Sequence, residues 1–81
     1  MGRRRNYSCA ELGHILALAM GHYVALKASP DLAARDRLHA TRDYLLACGV
    51  EQAVAGRLAF GAALKCGGFK SRAQIAQVVA R

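Results

Sequence analysis

The chain has 81 residues, 12 lysines and arginines against 5 acids, and 54% hydrophobic residues. That length sets one domain, which buries only about 60% of the surface its unfolded form exposes and gains from association with a second copy. Three cysteines, an odd number without CxxC spacing, speak against a disulfide framework or a zinc knuckle and for free thiols in a reducing cytoplasm.

Charge is unevenly distributed along the chain. Residues 1–5 carry Arg3, Arg4 and Arg5 and no acid, residues 6–51 carry four bases against five acids, and residues 52–81 carry five bases and no acid. Both ends are therefore basic, which is the electrostatic footprint of a chain that meets a polyanion. Residues 1–7 read as a basic arm and residues 8–81 as a single helical domain. The apolar stretch behind the arm contains His14 and His22 and no cleavage pattern before Lys27, so no export is expected.

Ser8-Cys9-Ala10-Glu11 is a capping box, in which the serine oxygen accepts from the N–H three residues on and the glutamate reaches back. It opens a first helix with Leu12, Ile15, Leu16, Ala19, Tyr23 and Leu26 along one face. Gly13, Ala17, Gly21 and Ala25 lie on the opposite side, four apart, a row that admits a second helix backbone at close range. Two partners fit that row: a second copy of the chain, or the alanine-rich third helix of the same chain. The uncharged run from Leu12 to Leu26 has 15 residues, fewer than the roughly 20 of a spanning helix, and no membrane is expected.

Ser29-Pro30-Asp31 offers an N-cap, a proline at the first helical position and an acid in the first turn, so the second helix is expected to begin there and to end at Gly49. A third helix spans about Glu51 to Cys66 and stops at Gly67-Gly68. Ser71-Arg72-Ala73-Gln74 is a second capping box and opens a last short helix with Ile75, Val78 and Val79 on one side. No stretch alternates apolar and polar residues as a strand does. The fold class expected is all-α, a compact bundle of about four short helices.

Residues 42–60 resemble the helix-turn-helix of DNA-binding proteins. Gly49 stands at the turn, Leu45 and Cys48 stand at buried positions before it, Val50 plugs it, and Ala55 and Leu58 stand where the second helix packs inward. The resemblance implies that the third helix lies in a major groove while the second braces it. Glu51, Gln52, Ala53 and Arg57 then face bases, Lys65, Lys70 and Arg72 meet phosphates, and Arg3, Arg4 and Arg5 add an arm. Leu45 departs from the pattern, which favours a small residue there. Gly56 weakens the reading helix, and Glu51 meets phosphates unfavourably.

His14, His22 and His39 share no metal-site spacing with one another or with acids, and no phosphate loop follows a strand. No catalytic residue, metal or cofactor is expected. Arg35 and Arg37, with Asp31 and Asp36 as helical neighbours, read as solvated surface charges. The function expected is nucleic-acid binding, in transcriptional regulation, by a homodimer. The competing reading is a small helical protein-binding module, an adaptor or inhibitor, whose basic face docks on an acidic or nucleic-acid-mimicking surface of a partner, including one that itself binds nucleic acid.

Overall fold

The computed structural model of the chain describes residues 6–29 and 31–80. Four helices fill that span: α1 (Cys9–Lys27), α2 (Ala34–Ala47), α3 (Gln52–Cys66) and α4 (Arg72–Ala80), with no strand among the described residues. The fold is all-α. Helices α1, α2 and α3 pack on one another in pairs, and α4 rests against α3 and α2.

The first capping box forms in full, Glu11 N–H donating to Ser8 Oγ at 3.1 Å and Ser8 N–H to Glu11 Oε1 at 3.0 Å. From this start the helical phase carries Ile15, Ala19 and Tyr23 inward. They meet a face of α3 with little side-chain bulk, where Ala55, Ala59, Ala62 and Ala63 are all fully buried. Short side chains let α1 and α3 approach closely, and Tyr23, Leu45 and Ile75 are the largest apolar groups fully buried in the core, each worth about 1.5–3 kcal/mol as a large aliphatic or aromatic side chain.

The row Gly13, Ala17, Gly21 and Ala25 is exposed along its whole length. A Cβ added at Gly13 or Gly21 would meet nothing within 4 Å. Packing of this row against the alanines of α3 is thereby overturned: those alanines are taken by the other face of α1. Helix α1 also runs further than its uncharged core. Its 19 residues include an 18-residue window of mean hydropathy 1.3, long and apolar enough to cross a membrane by length and composition, and 17% of that window is buried.

The second helix begins later than Ser29-Pro30-Asp31 implies. Leu32 N–H bonds to the Ser29 carbonyl at 3.4 Å, and α2 starts only at Ala34, behind an extended Ala33 that gives no side-chain cap. Arg37 explains the delay. Its Nη1 donates to the Leu32 carbonyl at 2.7 Å while its guanidinium lies 5.9 Å from the Tyr23 ring centroid, so it straps residues 32–33 outside the helix instead of standing in solvent. Helix α2 then buries Leu38, Thr41 and Leu45.

Gly49 closes α2 with φ +91°. Val50 N–H bonds to the Leu45 carbonyl at 3.1 Å and Gly49 N–H to the Leu46 carbonyl at 3.0 Å, the paired bonds of a Schellman ending. Helix α3 ends at Gly67-Gly68, where Gly68 takes φ +78° and Gly67 has no room for a side chain: a Cβ there would lie 2.5 Å from the Ala63 carbonyl oxygen and 2.7 Å from the Tyr23 hydroxyl. At the start of α4, Gln74 N–H donates to Ser71 Oγ at 3.3 Å, and Gln74 Oε1 accepts from Lys70 N–H at 2.7 Å. The second capping box thus reaches one residue further back than its pattern requires.

Candidate nucleic-acid interface

The corner between α2 and α3 has the inner contacts the resemblance implies, with one exception. Leu45 and Ala55 are fully buried, and Val50 and Leu58 are packed against the core as partly buried residues. Cys48, expected inside, is exposed. It is the C-cap residue, with φ −82° and ψ 0°, and the chain turns away from the core before its side chain can enter.

On the outer side of α3, Gln52, Ala53 and Arg57 are exposed and Glu51 is half-buried. Arg57 and Arg72 line one open groove of about 500 Å³ between α3 and α4, floored by Gly56, Phe60, Ala73 and Ala76. Arg72 holds its guanidinium 5.5 Å from the Phe60 ring centroid. A cation–π contact of this length restricts a long side chain and leaves guanidinium N–H groups to face a phosphate or a carboxylate.

Lys65 and Lys70 are exposed as well. Lys65 lies eight residues beyond Arg57, about 12 Å further along α3, and Lys70 lies in the loop before Arg72. The structure therefore brings Arg57 and Arg72 to a common groove, while Lys65 and Lys70 extend the basic character toward the C-terminal end of α3. No acid occurs after Glu51. Asp31, Asp36 and Asp43 belong to α2 and the segment before it, where Arg42 pairs with Asp43 at 3.3 Å. Arg3, Arg4 and Arg5 lie outside the described residues.

Two residues of this region escape a reading of the sequence. Phe60, three residues after Arg57, serves as the platform for Arg72. Tyr7, which the sequence places in the arm, is half-buried against the core, and its hydroxyl accepts from Glu51 N–H at 3.0 Å. A signal for Tyr7 exists: it stands just before the N-cap Ser8, and Leu12 stands at the fourth helical position, the spacing of a hydrophobic staple. Both line a cavity of about 190 Å³ together with Asn6, Ala53 and Arg57.

Among the described residues no three His, Cys, Asp or Glu side chains come together as a metal site. His22 is stacked on Tyr44, ring centroids 4.2 Å apart and planes 3° from parallel. Cys9 and Cys48 are free and exposed, and Cys66 is free and half-buried. Comparison with protein-family models, with curated proteins and with solved structures finds no match for this chain.

Proposed function

We propose that this chain is a small DNA-binding protein in which the outer face of α3 meets duplex DNA and the α2 corner braces it. The observation that carries the reading is the pairing of Arg57 and Arg72 at one open groove, on two helices that contain no acid. Arg57 is the side chain best suited to a base edge, because guanidinium matches the two acceptors of guanine in the major groove. Gln52, in the first turn of α3, is a second candidate. Arg72, Lys65 and Lys70 are phosphate contacts, which fix position and carry no sequence information.

Regulation of transcription and assembly as a homodimer belong to the same proposal. A two-fold pair of α3 helices reads two half-sites about one helical turn apart, and the exposed row of small residues on α1 is the face offered to a second copy.

The experiment is duplex binding by the Arg57→Ala variant, with a preferred sequence selected by the wild type from a random pool. For that sequence the variant loses about 1–3 kcal/mol, and for random duplex it loses little. Equal losses on both would make Arg57 a phosphate contact. Absence of wild-type binding to any duplex would instead assign the basic face to an acidic protein surface.

A further inference from the structure

The DNA reading uses the two arginines of the groove between α3 and α4 and leaves its floor unexplained. Gly56 and Phe60 lie about one turn apart on α3, Ala73 and Ala76 nearly one turn apart on α4, and all four line the same opening. An added Cβ at Gly56 would meet nothing within 4 Å, so the floor is open there. Phosphates have no use for it, since they are met by N–H groups and bury no apolar surface. The α4 wall is held in place: Ile75 is fully buried, and Gln74 N–H donates to Ser71 Oγ at 3.3 Å.

Shape and charge together define the occupant. A floor about one helical turn long receives one large apolar side chain, not the seam of a whole helix. Among the described residues that line the groove there is no acid, and Arg57 and Arg72 come to it from separate helices. Carboxylates on either side of the apolar side chain match them, because a guanidinium takes a carboxylate through two parallel N–H bonds. A nucleobase fits less well. The side chains of the floor offer no polar group to a base edge, and the Phe60 ring, which would be the stacking platform, already carries the Arg72 guanidinium 5.5 Å from its centroid.

We infer that the α3–α4 groove is a docking site for an acidic segment of a partner protein, with one large apolar side chain on the floor and flanking carboxylates on Arg57 and Arg72. The inference goes beyond the DNA reading and does not rest on it. Both use the same two arginines, so the acidic segment and the duplex exclude each other, and such a partner releases the chain from DNA.

The test titrates the full chain with a blocked peptide, Glu-Asp-Glu-Phe-Glu-Asp-Glu, and with its counterpart in which serine replaces phenylalanine at equal charge. The phenylalanine peptide is expected to bind about tenfold or more tighter than the serine peptide, the worth of one large apolar side chain buried. Backbone amide signals of Gly56, Phe60, Ala73 and Ala76 should shift on its addition. The Arg57→Ala/Arg72→Ala chain, shown by a thermal melt to be folded, should bind it about tenfold more weakly, since both changes fall on exposed side chains. Equal affinity for the two peptides, or shifts confined to other parts of the chain, would reduce the site to general charge attraction and overturn the inference. So would a thymidine oligomer of equal charge that displaces the phenylalanine peptide, because the groove would then be a site for a single strand. Duplex binding at about 50 mM salt without peptide judges the DNA reading separately. A chain that prefers the phenylalanine peptide and ignores duplex keeps the docking site and loses the DNA reading, and one that binds duplex but does not distinguish the peptides does the reverse.

Discussion

The sharpest local constraint falls on Gly49. With φ +91° it occupies backbone space that a side chain enters at a cost of about 1–2 kcal/mol. Gly56 sits inside α3 with nothing within 4 Å of an added Cβ, where glycine costs about 0.5–1 kcal/mol against alanine. Alanine should therefore have opposite effects at the two sites. Gly49→Ala lowers the free energy of unfolding by about 1 kcal/mol and Gly56→Ala raises it by a comparable amount, as measured by urea denaturation at equal slope. A stabilising Gly49→Ala would mean that the turn is not held as described. Gly49 was readable in the sequence because a glycine between two apolar helical runs has few other uses. The exposure of Cys48 beside it was not, since a one-residue change in where the helix ends turns a side chain from core to solvent.

The helices divide by how local their determinants are. Helix α1 and the end of α2 follow from neighbouring residues, the Ser8–Glu11 box and Gly49, and both stand where the sequence places them. The start of α2 depends on Arg37 reaching the Leu32 carbonyl and the Tyr23 ring, a contact made across the fold that no local pattern announces. The start of α3 depends in the same way on Tyr7. Helix α1 also has an outer face that no described residue covers at Gly13 and Gly21, where an added Cβ would meet nothing within 4 Å. The dimer reading assigns that face to a second copy. Gly21→Leu would force two such helices apart at a typical cost of about 1–3 kcal/mol, so sedimentation should show a wild-type dimer and a variant monomer of unchanged helicity. A wild type that sediments as a monomer at high micromolar concentration, or a variant that dimerises as before, removes the reading.

At the scale of the molecule, charge and topology act together. The helical order folds the acid-free stretch after Glu51 into α3, α4 and the loop between them, so Arg57 and Lys65 of α3, Lys70 of the loop and Arg72 of α4 lie on one continuous acid-free segment, while the aspartates stay with α2 and its approach. The charge asymmetry could be read from the sequence, and so could the candidates Arg57 and Arg72. Their meeting at Phe60 could not, because it depends on how α4 returns over α3. If this side of the molecule is the DNA-binding face, its affinity must be largely counterion release, with log affinity falling linearly with log salt by about 0.9 for each phosphate neutralised. The measurement that tests the account most directly is this slope, compared between the wild type and the Lys65→Ala/Lys70→Ala/Arg72→Ala chain on the same mixed-sequence duplex. A DNA-binding face built from these residues gives a steep linear fall for the wild type and a slope shallower by about 2–3 for the variant. No binding at about 50 mM salt, or an identical slope in the two proteins, would contradict it.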